Sequence, residues 1–335
     1  NLKTKYEKKL EIPHPSGDVH YGDIVLDGEE AIYFLMDIPS PRLREMDKVE
    51  GPAGEYFMLK YDFFENSVSE KALSIGAKWI YEARLRQNST GDIQVFGYFS
   101  NMVDPVMAGT FSVSFDTQTG SITDNGLAAF DRAFKAQFRP KGKIIDRADL
   151  ALDDSVDTFV RTDNEMLMVS EKRDIYRSNI FNPSTGTYFV VENFMYEELL
   201  LTQISTSGQA LMNFKIPKFQ ASGRSEEQHL SYLATGDGQH TFFIFNDHER
   251  NSGLDIHANM KYSVLSGRSN AQAVMYRFTQ GGDLTKQVLF KNSPSGGVLN
   301  PKFYYELPGS LILYTEGSSG GQFVRLELEY AGESE

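Results

Sequence analysis

Short apolar runs, rich in β-branched and aromatic residues, recur along the whole chain. They begin about 60 to 75 residues apart, and repetition at a fixed period is typical of propellers and other repeat arrays. Few polar residues interrupt them, as expected for strands that are covered on both faces. The runs occupy residues 32–38, 93–100, 165–170, 241–247 and 310–316.

Each run is the second strand of a predicted hairpin, because a moderately apolar stretch and a turn signal come before it. In the first unit, for example, residues 19–26 lead into the turn signal Asp27-Gly28. A second hairpin follows in each of the first four units, beyond a loop of variable length. Four strands that run up and down in chain order are the construction of a propeller blade.

The fifth unit ends one strand short, with residues 322–330 as its third strand. Residues 2–12 have the character of an outer strand, and pairing them with the C-terminal strand would close the ring and remove two exposed sheet edges. The sequence therefore predicts an all-β fold, a β-propeller of four-stranded antiparallel blades that forms one domain over residues 1–335. Five blades are predicted, at about residues 13–75, 78–127, 144–216, 227–290 and 299–330, the last completed by residues 1–12.

Residues 127–138 follow a different period. Leu127, Phe130, Phe134 and Phe138 recur at the spacing of one helical face. This predicts a short helical insertion packed on the propeller, and the alternative is a weak sixth blade within residues 130–154. A helix that docks a partner is a further interpretation of the same pattern.

Three long loops are predicted at the same place in the repeat, at residues 39–55, 175–198 and 248–271. In a meander they lie on one face, and loops on one face of a repeat scaffold commonly carry binding. We expect this rim to bear the function.

Composition narrows the class of partner. The 335 residues carry a formal net charge of −13 without a compensating run of Lys or Arg, so nucleic acid is not an expected partner. The lack of cysteine excludes disulfides, thiolate zinc sites and a cysteine nucleophile. No stretch approaches the roughly 18 apolar residues of a membrane span. A chain that begins at Asn1 is expected to be processed or trimmed.

Several segments share their order and spacing with a known group of proteins. They are residues 95–101 (VFGYFSN) followed by 109–111 (GTF), then 215–220 (KIPKFQ) and 243–247 (FIFND). Through them, residues 2–255 resemble uncharacterised exported β-propeller-like proteins of Bacteroidota. The chain departs from that group at residues 173–188, where we expect a mixed polar loop in place of a Tyr-rich insertion. The resemblance implies a periplasmic or cell-surface location and supplies no catalytic residue.

Carboxylates and tyrosines on the predicted inner strands are the candidate site residues. Five-bladed propellers include glycoside hydrolases, which need an acid and a base or nucleophile about 5–9.5 Å apart. Tyrosines beside them offer stacking surfaces, although packing between blades and channel lining also account for these residues. The candidates are Asp23, Tyr81, Glu82, Asp157, Tyr232, Tyr304 and Glu306.

Two stretches gather potential metal ligands. One is the acidic residues between 153 and 165, and the other runs from Asp247 to His257. Calcium and zinc need several such groups to converge on one ion. We interpret the first as blade-edge and turn-capping aspartates and the second as a solvated loop, so no metal and no cofactor are predicted.

Two functional hypotheses follow. The first is a non-catalytic protein-interaction propeller of the bacterial envelope, an accessory part of a secretion, surface-assembly or motility complex, whose partner is another envelope protein. The second is a glycoside hydrolase or polysaccharide-binding propeller with axial carboxylates. The sequence has no nucleophile elbow, zinc-hydrolase helix or EF-hand pattern, which favours the first.

Overall fold

A computed structural model describes the fold of most of the chain. The described residues are 14, 19–28, 30–39, 54–87, 91–101, 104–138, 156–160, 166–205, 208–237, 239–255, 262–291, 297–317 and 320–328. The chain divides into two compact units. The first comprises Asn1–Ala136, Asp146–Ala151 and Ile204–Leu211, and the second comprises Gln137–Ile145, Leu152–Gln203 and Met212–Glu335.

The first unit contains two four-stranded antiparallel sheets whose strands follow chain order. One sheet consists of β1 (His20–Asp27), β2 (Ala31–Pro39), β3 (Gly54–Asp62) and β4 (Ser67–Ala72). The other consists of β5 (Lys78–Gln87), β6 (Ile93–Asn101), β7 (Asp104–Phe115) and β8 (Ile122–Ala129). The helix α1 (Arg132–Ala136) follows the second sheet.

The apolar runs form the core of this unit. Tyr33 and Leu35 on β2 share one buried cluster with Val95 and Phe99 on β6. Every residue of β6 except Asn101 is buried. A strand that is covered on both faces does not need to alternate apolar and polar residues, which accounts for the uninterrupted apolar run.

The second unit contains three sheets. The largest joins β9 (Val156–Val160), β10 (Met166–Asn182), β11 (Thr187–Ile204), β12 (Ala210–Ile216), β13 (Gln220–Gly223) and the short β16 (Leu265–Ser266). A four-stranded meander consists of β14 (Leu233–Gly236), β15 (His240–His248), β17 (Ala271–Thr279) and β18 (Leu284–Lys291). The last sheet consists of β19 (Val298–Leu307), β20 (Ser310–Gly317) and β21 (Gly320–Glu327).

Two buried clusters join these sheets. Phe243 and Tyr276 of the meander pack with Leu199 of β11. On the other face of the meander, Ile244 packs with Leu311 of the last sheet. The meander therefore lies between its two neighbours and is covered on both faces.

The structure confirms an all-β fold built from antiparallel sheets with the four-strand order of propeller blades. Three of the sheets in the described residues have that order, and the last sheet has three strands there. The predicted closing strand, residues 2–12, lies outside the described residues. The number of blades, the closure of the ring and the single domain stay predictions. No helix in the described part of the chain has the length and apolar character needed to cross a membrane.

The predicted helical insertion is present but shorter than its apolar pattern. Phe130, Phe134 and Phe138 are buried, and the Asp131 carboxylate accepts a hydrogen bond from the Phe134 N–H at 2.7 Å near the start of α1. Leu127 does not belong to the helix, because it lies in β8 opposite Phe111 and is 41% exposed. Because its backbone pairs with β7 in the sheet, the helical face begins only after β8 ends.

Strands β5 and β6 approach so closely that position 97 has no room for a side chain. A Cβ atom on Gly97 would lie 1.9 Å from the Glu82 carbonyl oxygen and 2.9 Å from the Ala83 Cα. Both atoms belong to backbone, so neither can move without disturbing the pairing of the two strands.

We expect Gly97→Ala to destabilise the first unit by about 3 kcal/mol, because the added Cβ forces paired backbones apart. Urea unfolding followed by the fluorescence of Trp79, the single tryptophan and a residue of β5, measures the change. Gly22→Ala is the matched control, since a Cβ there meets Leu35 at 3.5 Å or more. Equal unfolding midpoints for the two variants would contradict the prediction.

Candidate functional site

The predicted axial residues of the first unit have partners within that unit. The Asp23 carboxylate on β1 accepts a hydrogen bond from the Leu85 backbone N–H on β5, at 2.8 Å. The Glu82 carboxylate forms an ion pair with Arg84 at 3.2 Å, and Tyr81 is half-buried at the bulge of β5. Asp23 thus links the two sheets of the unit.

The predicted residues of the second unit separate into buried and exposed positions. Tyr232 is buried and its ring centroid lies 6.1 Å from that of Phe243. Tyr304 and Glu306 are exposed and share one face of β19. Asp157 lies on β9 opposite Val169. The arrangement of an acid and a base that face each other across a propeller axis stays a prediction.

The feature that the sequence pattern did not reveal is a long hairpin formed by the distal parts of β10 and β11. The predictions of a loop at residues 173–188 and at 175–198 are wrong, because strands occupy Met166–Asn182 and Thr187–Ile204. We call residues 174–192 the arm. Both faces of the arm contact solvent, so no core-facing side imposes the alternation by which strands are predicted.

A tight turn closes the arm. The Asn182 carbonyl oxygen accepts a hydrogen bond from the Gly186 N–H at 2.9 Å, and the Asn182 side-chain oxygen accepts one from the Ser184 N–H at 3.0 Å. Gly186 has a φ of 68°, which glycine adopts without a steric penalty. Asn182-Pro183 and Thr185-Gly186 therefore form the turn of a hairpin.

Side chains pair across the arm. Arg177 Nε donates to Glu192 Oε1 at 3.1 Å, and the rings of Phe181 and Tyr188 lie 5.1 Å apart. Cross-strand pairs of opposite charge and of aromatic rings stabilise a two-stranded ribbon by fractions of a kcal/mol each. The two pairs also set which side chains share a face.

The arm exposes large apolar side chains on both faces. Seven of them are each between 45% and 71% exposed, and no charged residue occurs from position 178 to 191. A contiguous apolar surface larger than a few hundred Å² commonly marks a binding site. The seven are Ile175, Tyr176, Ile180, Phe181, Tyr188, Phe189 and Val190.

The backbone edges of the arm have no strand neighbour among the described residues. β9 pairs with β10 only from Met166 to Ser170, and β13 pairs with β11 only from Asn193 to Tyr196. The part of the arm beyond these pairings, residues 177–182 and 187–191, extends about 20 Å at roughly 3.3 Å per residue. An exposed edge of this kind is a template for pairing with another strand.

A buried ion pair lies where the arm leaves its sheet. Lys218 Nζ lies 2.8 Å from Glu171 Oε1, and neither side chain has exposed surface. The second oxygen of Glu171 accepts hydrogen bonds from Arg173 Nε at 2.7 Å and Ser231 Oγ at 2.8 Å. Burial lowers the pKa of the Lys218 ammonium, and the Glu171 carboxylate offsets part of that effect. We call Glu171, Arg173, Lys218 and Ser231 the root of the arm.

Gln220 connects the root to the meander. Its side-chain oxygen accepts hydrogen bonds from Lys218 Nζ at 3.1 Å and from the Ser231 N–H at 2.8 Å. Its amide nitrogen donates to the Asn246 carbonyl oxygen at 2.7 Å. Asn246 in turn donates to the Leu299 carbonyl oxygen at 2.7 Å and accepts from the Leu299 N–H at 3.1 Å. This chain of hydrogen bonds reaches all three sheets of the unit.

The backbone of the root is strained at Ser231, which has a φ of 73° although it is not glycine. A left-handed conformation costs such a residue about 1–2 kcal/mol. The hydrogen bonds from its N–H to Gln220 and from its hydroxyl to Glu171 offset that cost. The surrounding network therefore determines the conformation of this residue.

Tyr196 of β11 covers the two cations of the root. The centroid of its ring lies 5.0 Å from the Arg173 guanidinium carbon and 5.7 Å from Lys218 Nζ. Its hydroxyl donates to Glu227 Oε1 at 3.0 Å. Attraction between a cation and an aromatic face adds to the stability of the buried charges.

Of the segments considered for metal binding, the one near His248 forms a structural turn. His248 Nδ1 accepts a hydrogen bond from the Arg250 N–H at 3.1 Å. Asp247 accepts one from Asn251 Nδ2 at 2.7 Å and pairs with Lys286 at 2.9 Å. Residues 153, 154, 163, 165 and 257 lie outside the described ranges. Within those ranges, no group of three His, Asp or Glu side chains is arranged to hold a metal ion.

Comparison with known proteins assigns no family to the chain. No known protein family and no characterised protein matches the sequence. An acylaminoacyl peptidase from Pyrococcus horikoshii is 12% identical with a TM-score of 0.38, over 89% of this chain and 35% of the peptidase. A GH43 β-1,3-galactosidase is 10% identical with a TM-score of 0.33, over 92% of this chain and 56% of the galactosidase.

A third similar structure is a protein of unknown function from Bacteroides caccae. It is 10% identical with a TM-score of 0.19, over 81% of this chain and 86% of that protein. The chain spans less than two thirds of the length of the peptidase and of the galactosidase. Similarity at this level assigns no activity.

We expect removal of one partner of the buried ion pair to destabilise the protein by about 3–5 kcal/mol, because the other charge is left buried without compensation. Lys218→Met and Glu171→Leu test this separately by urea unfolding followed by circular dichroism. The free energy of unfolding of the double variant should fall by about 2 kcal/mol less than the sum of the decreases in the two single variants. Lys291→Met, at an exposed position on β18, is the matched control and should unfold as the wild type does. Additive losses in the double variant would show that the two charges do not depend on each other.

Proposed function

We propose that this chain is a non-catalytic protein-interaction protein of the bacterial envelope and that the arm is the surface that binds its partner. The observation that supports this most directly is the combination of exposed apolar side chains on both faces of the arm with two backbone edges that pair with no further strand among the described residues. The partner is another envelope protein, in an assembly for secretion, surface construction or motility. The envelope location rests on the resemblance to exported Bacteroidota proteins alone.

The chemistry of the arm favours a protein partner that contributes an extended strand or a sheet edge. Main-chain hydrogen bonds along a strand edge supply affinity in this mode, and alternate side chains supply specificity. The part of the arm from residue 178 to 191 has no charge to desolvate. The core of a protein interface is likewise depleted in charged residues and enriched in aromatic ones.

The root makes the arm suited to binding, because it holds the base of both strands in one position. Glu171 belongs to β10 and Tyr196 to β11, and both contact Lys218. Ordering a flexible segment on association reduces affinity, so a base that is already ordered retains more of the interaction energy. The tip stays free to contact the partner.

The proposal is tested by site-specific cross-linking. A benzoylphenylalanine placed at Tyr188 should cross-link one envelope protein in a native membrane extract, because this side chain is 71% exposed at the tip of the arm. The same residue placed at Phe64, which is 80% exposed in the first unit, is the matched control and should give no specific adduct.

The adduct is then identified, and its affinity for purified variants is measured. The double substitution Tyr188→Ser and Val190→Ser should weaken binding at least tenfold, since exposed aromatic and aliphatic anchors dominate interface energies. Its unfolding midpoint should match that of the wild type, because both side chains are largely exposed in the free protein. Undiminished binding by this variant would overturn the proposal for the arm.

A second candidate function, polysaccharide binding, is favoured by a strip of aromatic rings on the last sheet. Phe303 on β19 lies 6.0 Å from Tyr314 on β20, and Tyr314 lies 5.4 Å from Phe323 on β21, between ring centroids. Gly321 leaves room for the strip, because a Cβ there would lie 2.2 Å from the Tyr314 hydroxyl. The rings are tilted by 52° and 56° to one another, and neighbouring aromatic rings with a polar hydroxyl offer an apolar surface that suits the face of a sugar ring.

We expect Phe323→Ala to weaken binding of a polysaccharide at least tenfold, because the ring is 75% exposed at the edge of the strip. A glycan array with the wild-type chain identifies the glycan, and calorimetry measures its affinity. Phe64→Ala removes an equally exposed ring from the first unit and should bind as the wild type does. An array without a specific signal would remove this second candidate and leave the arm proposal unaffected.

A further inference from the structure

A cleft lies between the meander and β21, both within the second unit. Its volume is about 630 Å³, which is within the range of about 300–1,000 Å³ typical of small-molecule sites. Leu289 of β18 forms part of one wall, and Leu326 and Leu328 form part of the other. These side chains also pack against the apolar cluster between the two sheets. The cleft therefore begins where that cluster ends.

One row of side chains on β17 passes from the cluster into the cleft. Ala273, Met275 and Arg277 occupy the same face of the strand, since side chains two residues apart share a face. Ala273 is buried, Met275 packs against the cluster, and Arg277 lines the cleft. A cation thus occupies a position in a row whose other members are apolar.

Arg277 lines this cleft and has an unsatisfied donor. Its Nε–H is buried and has no hydrogen-bond acceptor in the described part of the chain. The Nε–H has no surface that a ligand can reach, but no described residue forms an ion pair with the Arg277 guanidinium, so an oxyanion beside its part of the cleft wall supplies a charge partner that the protein does not. The other cation at the cleft, Lys286, is already paired with Asp247 at 2.9 Å.

We infer that this cleft binds a small amphipathic carboxylic acid. The carboxylate accepts hydrogen bonds from the Arg277 guanidinium, whose fork of donors matches the two oxygens of a carboxylate. The hydrocarbon part packs against Leu289, Leu326 and Leu328. Nothing in this inference depends on the arm or on the aromatic strip, so it stands or fails separately from the proposed function.

Charge favours a monoanion over a phosphate dianion. Among the described residues, no acceptor bonds to the Nε–H of Arg277. The exposed Glu327 carboxylate lies at the rim of the cleft. The chain as a whole carries a formal net charge of −13. A second negative charge on the ligand would therefore meet repulsion, since Lys286 is already paired with Asp247 and Arg325 with Glu327 at 2.7 Å.

The experiment compares probes that share a hydrocarbon chain and differ in the head group. Octanoate, 1-octanol and octyl phosphate are titrated into the full chain by isothermal calorimetry. Octanoate should bind at least tenfold more tightly than either of the others. The tripeptide acetyl-Ala-Leu-Leu with a free carboxylate tests a peptide terminus as the source of the same chemistry, and tighter binding of the tripeptide than of octanoate would overturn the assignment to a small acid.

Variants identify the group that recognises the carboxylate. Arg277→Met should weaken octanoate binding at least tenfold and octanol binding less than threefold, since it removes the guanidinium and keeps an apolar chain of similar length. Arg132→Met removes an exposed arginine from α1 and should leave all three affinities unchanged. Octanoate binding that is unchanged in Arg277→Met, equal affinities for octanoate and octanol, or no octanoate binding at millimolar concentration would each overturn the inference.

Thermal melting separates recognition from folding. Without ligand, Arg277→Met should melt at or above the temperature of the wild type, because it no longer buries an unsatisfied donor. Octanoate should raise the melting temperature of the wild type and not that of the variant. If Arg277→Met does not fold, Arg277→Lys keeps the charge but loses the fork, and several-fold weaker octanoate binding is expected of it. Unchanged binding by Arg277→Lys would then overturn the inference.

Discussion

Two opposite charges without exposed surface, Lys218 and Glu171, determine the arrangement of the second unit. Removing such charges from water costs several kcal/mol for each ion, and the cost is recovered only where hydrogen bonds satisfy the remaining donors and acceptors. Arg173, Ser231 and Gln220 supply those bonds from different segments. Because every partner must be in place together, β10, β13 and the segment before β14 are positioned by one electrostatic requirement.

The arm extends beyond the sheet from this network, as a continuation of the interior strands β10 and β11. Its base is joined to a dense polar network, whereas its tip contacts no other strand among the described residues. An isolated two-stranded ribbon is only marginally stable in water, so its own pairs, such as Arg177 with Glu192, must be supplemented by the base. The result is a surface whose position is defined and whose edges pair with no further strand in the described part of the chain. That combination is what supports an interaction role for the chain.

The three surfaces of the second unit differ in chemistry, and this difference is the reason that we propose a different ligand for each. The arm has apolar side chains on both faces, no charged residue from position 178 to 191 and no further strand neighbour among the described residues. The aromatic strip has rings without charge, and the cleft has a guanidinium at the end of an apolar row. Each lies where the packing between neighbouring sheets stops. Of the residues predicted to lie on the axis, Asp23 accepts a hydrogen bond from the Leu85 backbone.

The sequence by itself determined the all-β class, the hairpin turns and the buried central strands, because alternation, turn chemistry and apolar runs are local and are read over a few residues. It also indicated the short helix, except at Leu127, whose backbone belongs to β8. Only the tertiary structure decided that residues 174–192 form a hairpin, since strands exposed on both faces have no periodic signal. It alone paired Lys218 with Glu171 and left Arg277 facing a cleft. Those relations join residues that are distant along the chain, and the desolvation that makes them matter exists only once the sheets have packed.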